Sequence, residues 1–257
     1  MLDVLRERLK QKKRTSAYPN KPVQLPERFR GRPQVDLNLC PTSGCVECAK
    51  VCPTGAITCQ NQRPSIDLGK CLFCLECTQA CPSKAISFSN DYRLATSSRS
   101  DLVISADTNY ELKKAESLKK EMLRLYGRSL KLRQISAAGC NACEADTNVL
   151  GTLFFDLSRF GIQIVASPRH ADGILVTGPV SKNMELALKK TYEAVPGPRI
   201  VIATGACTIS GGVFSGHEET TNGLDSIIPV DLYIPGCPPH PMTILDGLLR
   251  LLSRKTN

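Results

Sequence analysis

From Ser129 onward, short apolar runs alternate with stripes of helical period, and this pattern organises the second half of the chain. Leu130–Ser136, Ile162–Ala166, Gly173–Val176, Arg199–Ala203 and Val230–Ile234 read as strands. Glu144–Arg159, Lys182–Val195 and Met242–Leu252 read as helices. The first stops near Gly161, and the last carries Leu245, Leu248 and Leu249 on its inner face. Strands separated by helices predict an α/β fold with a doubly wound parallel sheet, whose functional loops lie at the carboxyl ends of the strands. The first half reads differently. Residues 1–33 are basic and punctuated by proline, and residues 34–90 show only short strands such as Ala56–Thr58 and Ala85–Phe88. Asp101–Ser105 reads as a strand. Tyr110–Tyr126 reads as an amphipathic helix with Leu112, Ala115, Leu118, Met122 and Leu125 on one stripe and Gly127 as its stop. Boundaries therefore fall at 1–33, 34–104, 105–128 and 129–257.

The cysteines give the irregular segment its chemistry. Cys71, Cys74, Cys77 and Cys81, the last followed by Pro82, have the bacterial ferredoxin spacing for 4Fe-4S cubanes. In that arrangement three thiolates serve one cluster, the fourth serves a neighbour, and proline turns the chain out of the loop. Cys40, Cys45, Cys48 and Cys52, followed by Pro53, repeat the pattern with two extra residues in the first gap, which Ser43 and Gly44 can absorb as a wider turn. Crossed ligation assigns Cys40, Cys45, Cys48 and Cys81 to one cubane, and Cys71, Cys74, Cys77 and Cys52 to the other. Zinc or a disulfide knot fits poorly, because zinc prefers two ligand pairs around one ion. Cys59 stands outside both runs and reads as a buried free thiol.

Four more cysteines follow predicted strands. Cys140 and Cys143 come after Leu130–Ser136, Cys207 after Arg199–Ala203, and Cys237 after Val230–Ile234. Three strand-end loops of one sheet can converge and supply four thiolates, enough for a third cubane. Taken singly, Cys207 and Cys237 read as core thiols and Cys140-x-x-Cys143 as a redox pair. The Gly205–Gly212 loop lacks the Lys-Ser/Thr of a nucleotide-binding loop.

Thirteen cysteines, an odd number mostly in metal-like spacings, point to a reducing compartment. The chain starts without a secretory or twin-arginine pattern, and no apolar stretch reaches the ~18 residues of a membrane span, so a cytoplasmic location is expected. The net charge of +9 lies wholly in residues 1–130, with 22 basic against 13 acidic residues. With few aromatics and no reading motif, nucleic acid is not expected as a partner. Leu2, Leu5 and Leu9 face away from Arg6, Lys10 and Arg14 on a short helix, which suits a docking or membrane-surface element as well as a solvated tail.

Several stretches resemble known families. Gly139-Cys-Asn-Ala-Cys-Glu, Arg159-Phe-Gly-Ile, Ala166-Ser-Pro-Arg-His-Ala-Asp, Gly205-Ala-Cys-Thr-Ile-Ser-Gly-Gly and Ile234-Pro-Gly-Cys-Pro-Pro resemble the small subunit of nickel–iron hydrogenases and the homologous 20 kDa subunit of respiratory complex I. Glu27-Arg-Phe-Arg-Gly, both cysteine runs and Asp91-Tyr-Arg-Leu-Ala resemble the complex I subunit that carries two ferredoxin-type cubanes. The resemblance implies a fusion: a basic N-terminal arm, a two-cubane ferredoxin-type domain, a connecting helix and a flavodoxin-like domain. It makes Cys140, Cys143, Cys207 and Cys237 the ligands of a proximal cubane. It also implies three 4Fe-4S clusters, a nickel–iron large subunit, membrane-arm subunits, an electron-donor subunit or ferredoxin, and a peripheral place on the inner face of the cytoplasmic membrane. The complex I branch carries adjacent cysteines at the first ligand position, whereas Cys140 and Cys143 are separated as in the energy-converting hydrogenases, including those of formate hydrogenlyase. The rival readings are a complex I-like quinone reductase without nickel and a free ferredoxin-type carrier.

Glu144, next to Cys143, reads as a proton relay or as an acid placed by the dipole of a helix start. Arg169 and His170 lie in the loop after Ile162–Ala166, where Arg169 could hydrogen-bond a cluster sulfur, face the large subunit or belong to an ordinary surface loop. His240, close to Cys237, reads as structural rather than as serving a distal role.

Overall fold

The computed structural model describes residues 2–40, 45–60 and 63–254. Helix α1 (Leu2–Gln11) opens the chain with all of its residues exposed. The rest of the basic segment is tied down. The Arg159 guanidinium donates to the carbonyls of Ser16 at 2.7 Å and Tyr18 at 2.9 Å. The buried Tyr18 hydroxyl donates to Asp246 at 2.7 Å.

A small module follows, made of two antiparallel sheets. Strand β1 (Pro33–Val35) pairs with β4 (Ile86–Phe88). Strands β2 (Ile57–Gln60), β3 (Arg63–Asp67) and β5 (Val103–Ile104) form the second sheet, in that order. The short helices α2 (Glu47–Lys50) and α3 (Glu76–Ala80) carry the cysteine runs and pack on each other. Pro33 thus lies in a strand, and pairing through β1 joins the basic segment to the module.

The helix expected over Tyr110–Tyr126 is shorter. Only α4 (Lys120–Tyr126) is helical, and it ends at Gly127 as expected. Residues 111–119 take no regular secondary structure instead. The Ala115 N–H goes to the Ala95 carbonyl at 2.7 Å and that of Leu118 to the Leu251 carbonyl at 2.9 Å. Apolar residues three apart, at 112, 115 and 118, suit a helix stripe, but here the tertiary partners of Ala115 and Leu118 hold the chain out of a helix.

The C-terminal half is a five-stranded parallel sheet of β6 (Leu130–Ser136), β7 (Ile162–Ile164), β8 (Gly173–Thr177), β9 (Ile200–Thr204) and β10 (Leu232–Ile234). The order is β10-β9-β8-β6-β7, the flavodoxin-like winding, which reverses direction beside β6. Every residue of β8 and β9 is buried, as befits central strands covered on both faces. Side chains alternate. Leu175, Ile200, Ile202, Leu232 and Ile234 pack with α8 (Pro241–Leu251) on one side, while Ile174, Val176, Val201 and Ala203 share the other side's core with Ile66, Leu68 and Ile104 of the small module. One apolar core therefore runs from the sheet into the module. Thr96 exchanges both backbone hydrogen bonds with Tyr233, extending the sheet at its β10 edge. Helix α5 (Ala142–Val149) is half the expected length; the chain turns at Gly151 and resumes as a single 3-10 turn over Leu157–Phe160. Helix α6 (Lys182–Ala194) follows β8, and α7 (Ala206–Ser210), absent from the sequence reading, follows β9.

Candidate metal centres

The two cysteine runs fold as related loops. The Ala56 N–H donates to Cys52 Sγ at 3.2 Å, and the Ala85 N–H donates to Cys81 Sγ at 3.3 Å. Each alanine stands four residues after its cysteine, so the repeat seen in the sequence is a repeat of backbone geometry. The Phe73 N–H donates to Cys71 Sγ at 3.3 Å. Burial pushes the Cys71 thiol up to about 12, the Phe73 N–H opposes this, and repulsion from Cys77, Cys52 and Cys74 adds to it. Cys52 thus stands among the thiols of the other run. The reverse crossing appears at Cys40, whose pKa is raised by burial and by Cys81 and Cys45, against the pull of Arg63. Cys81 itself is lowered: the Ser83 hydroxyl and the N–H groups of Ala85, Ser83 and Ile86 outweigh its burial. Cys59, expected to be buried and free, is half-buried and lies against Cys48, whose thiol is pushed up to about 12 by burial and by that neighbour.

The second set forms where three parallel strands end. Cys140 and Cys143 follow β6 and Cys207 follows β9, while Cys237 comes off β10. The Gly205 N–H donates to the Ile234 carbonyl at 2.8 Å and the Ala206 N–H to the Gly236 carbonyl at 2.9 Å, which pins the Cys207 loop to the Cys237 loop. Gly205 has φ +93°, and a Cβ there would lie 2.7 Å from Cys143 Sγ; one at Gly212 would lie 2.9 Å from Cys207 Sγ. Both positions therefore need glycine to leave room for a thiol. Burial raises Cys143, and Glu144, Cys207, Cys237 and Cys140 raise it further. Cys207 is pushed up to about 11 by burial, then by Cys237 and Cys140. Cys237 is raised by burial, then by Cys140 and by Cys74 of the small module. The third group of thiols thus adjoins the second.

Thiolates are soft ligands, so thiols gathered in these sets suit a soft, positively charged metal group. Among the described residues, no three Cys, His, Asp or Glu side chains close on one point as they would around a single ion. A cubane takes each thiolate at a different iron corner, so its ligands stand wider apart. Backbone N–H groups aimed at sulfur and glycine-lined space match the surroundings of such clusters.

Glu144 is buried, and its Oε1 accepts from Ser136 Oγ at 2.6 Å and Thr177 Oγ1 at 2.7 Å. Those bonds outweigh burial and hold its carboxyl below the ordinary range. Glu144 also lines a cleft of about 560 Å³ with Arg133, Asn148 and Met184. Neither Ser136 nor Thr177 stands out in the sequence, because their role depends on β6 and β8 being neighbours. Arg169 and His170 are exposed on a turn, and neither bonds a cysteine among the described residues. His240 caps α8, its Nδ1 accepting the Met242 N–H at 3.1 Å, and its ring packs edge-on against Phe29. That is the structural role expected of it. No helix among the described residues is long and apolar enough to cross a membrane.

Two crossed cysteine loops beside a flavodoxin-like sheet with thiols at its strand ends define the class: an iron–sulfur protein. Residues 32–97 match the 4Fe-4S dicluster domain, and residues 140–251 match the family of the NADH ubiquinone oxidoreductase 20 Kd subunit. The chain belongs to that subunit family. It is 42% identical over 146 residues to the probable membrane-bound hydrogenase subunit mbhJ of Pyrococcus furiosus, covering 57% of this chain and 87% of the relative. It is 42% identical over 142 residues to formate hydrogenlyase subunit 7 of Escherichia coli, covering 54% of this chain and 56% of the relative. It is 52% identical over 104 residues to NAD(P)H-quinone oxidoreductase subunit K of Picosynechococcus, covering 40% and 43%. The chain thus spans about half the length of the latter two. Among solved structures, a chain of the archaeal membrane-bound sulfane sulfur reductase matches with TM-score 0.46 and 35% identity over 53% of this chain and 75% of that one.

Proposed function

We propose that the protein is the electron-transfer subunit of a membrane-associated, hydrogenase-type complex and carries three 4Fe-4S clusters. Cys40, Cys45, Cys48 and Cys81 hold one cluster, Cys71, Cys74, Cys77 and Cys52 the next, and Cys140, Cys143, Cys207 and Cys237 the third. When bound, the clusters supply reversible one-electron transfer at potentials tuned by their surroundings. The chain holds the thiolates, excludes water from them and sets their order. The observation that supports this reading is a cleft lined both by Leu72 and Phe73 of the Cys71–Cys74 loop and by Gly236, Cys237 and Pro238 of the strand-end loop. The line runs from an electron-donor subunit or ferredoxin, through the small module, to the strand-end set. Cys140 and Cys237 are exposed there, and so are Leu153 and Val213 in the segments that follow Cys143 and Cys207. That face suits a large subunit with a nickel–iron centre, and the separation of Cys140 from Cys143 favours this partner. Membrane-arm subunits would place the assembly peripherally on the cytoplasmic membrane. The second reading, a complex I-like enzyme reducing quinone without nickel, is favoured by the 52% identity to the cyanobacterial quinone oxidoreductase subunit.

Metal analysis of the complex, purified anaerobically through a tag on this chain, tests the reading. Three cubanes require about twelve irons per chain, and a nickel–iron partner adds about one nickel. Iron near twelve without nickel selects the quinone reading. In a Cys237→Ser variant iron falls to about eight; no fall removes Cys237 from the ligand set. Glu144 has two candidate roles, relaying protons to the cleft it lines and anchoring the Cys140–Cys143 loop to β6 and β8. The two hydroxyl bonds on Oε1 favour the anchor. Glu144→Gln keeps an acceptor oxygen, so an anchor retains iron and hydrogen turnover. A loss of turnover with full iron selects the relay.

A further inference from the structure

One of the contacts between the small module and the sheet domain lies between the Cys71 loop and the helix that carries Cys207. Asp67, at the end of β3, receives a two-pronged bond from Arg99, with Nη1 on Oδ1 at 2.8 Å and Nη2 on Oδ2 at 2.6 Å. Asp67 Oδ1 also accepts the Gly69 N–H at 2.9 Å, and its backbone carbonyl accepts the Cys71 N–H at 3.1 Å. Across the gap, the buried Ser210 hydroxyl reaches the Gly69 carbonyl at 2.9 Å while shared with the Ala206 carbonyl of its own helix at 3.0 Å. The Thr54 hydroxyl donates to the Lys70 carbonyl at 2.7 Å, drawing in the loop of Cys52. The approach is close: a Cβ on Gly69 would lie 2.7 Å from Ile209 Cγ2 and 2.9 Å from the Arg99 guanidinium.

We infer that Asp67, Arg99, Gly69 and Ser210 form a clamp that sets the gap between the second and third clusters; the inference rests on the three-cluster reading. Cys71 stands two residues beyond Gly69 and Cys207 three residues before Ser210, so each thiol set meets the clamp through a short, hydrogen-bonded segment. Electron tunnelling falls off steeply with distance, so a fraction of an ångström at this contact changes transfer between the two centres. These four are positioning residues: none carries an electron, and none is among the twelve proposed ligands. Nothing in the cysteine spacing reports them, because the contact joins residues far apart in the chain.

The test uses the intact reduced complex. Magnetic coupling between paramagnetic clusters follows the inverse cube of their separation, so pulsed electron paramagnetic resonance reads the gap directly. In Gly69→Val, which wedges the contact, the coupling between the second and third clusters falls, while iron content and each cluster's own g values stay as in the parent. Arg99→Met, which adds no bulk, gives a smaller fall of the same kind and serves if the valine variant does not assemble. Unchanged coupling in Arg99→Met with all clusters present overturns the clamp. Iron near eight in the parent complex overturns the three-cluster reading instead, and the two failures are told apart before any variant is made.

Discussion

The two halves of this molecule hold their cysteines in opposite ways. In the small module the thiols lie close together in sequence, on helices of four and five residues and strands no longer than five. Cys48 and Cys77 are themselves part of the buried core there, with Cys52 and Cys71 packed against it. In the C-terminal half the thiols come from three loops far apart in sequence and sit on the rim of a sheet filled by leucine, isoleucine and valine. In the first arrangement the cysteines are themselves part of a small interior. The second is a finished scaffold that offers a site. Local spacing suffices for the former, whereas the latter exists only once the sheet has formed.

The sharpest way to break this comparison is to remove the iron by anaerobic chelation and follow amide hydrogen exchange. Protection should collapse across 45–60 and 63–88 and persist in β6, β8 and β9, because metal binding is folding energy where the core is small. Equal loss in both halves would show that the sheet also depends on bound metal. A smaller effect comes from Asp246, a fully buried carboxylate on α8 bonded by Tyr18 and by Arg250 at 2.7 Å each. Asp246→Ala leaves a buried hydroxyl and a guanidinium without their partner and should cost about 3 kcal/mol in urea unfolding followed by circular dichroism. A cost below about 1 kcal/mol would mean that residues 15–32 merely lie on the sheet. The smallest effect is expected at Asp91. Burial works to raise its carboxyl, but the Arg93 hydrogen bonds, one of them at 2.7 Å, outweigh burial and lower it. A carboxylate depressed in the folded state stabilises above its unfolded pKa and loses that contribution as pH falls through its folded pKa. Asp91→Asn should therefore cost up to about 1 kcal/mol at neutral pH, and the difference from the parent should vanish below the ordinary carboxylate range. A difference that persists in acid would assign the effect to packing.

The strands of the sheet were legible because buried parallel strands are short apolar runs with helices between them. Leu130–Ser136 is a strand from end to end, and the other four shift by one to two residues at either end. Failure came where two periods look alike. Residues 111–119 carry apolar side chains three apart yet form no helix, because the N–H groups of Ala115 and Leu118 find carbonyls on distant segments. Helix α7 went unseen because five residues between glycines are too few for a periodic signal. Cys59 stands alone in the sequence, yet in the fold it lies against Cys48.

By itself, the sequence determined the cysteine runs, their internal repeat, the alternation that makes a parallel sheet and the family to which the chain belongs. These depend on spacing within a loop or a single element, where covalent geometry limits the outcome. Only the tertiary structure decided that Glu144 accepts from both Ser136 and Thr177, that glycine leaves room for Cys143, and that Gly69 meets Ser210 beside both thiol sets. Each of these joins side chains from different elements. Packing the module against the sheet around a shared core settles such contacts, and no local pattern encodes them.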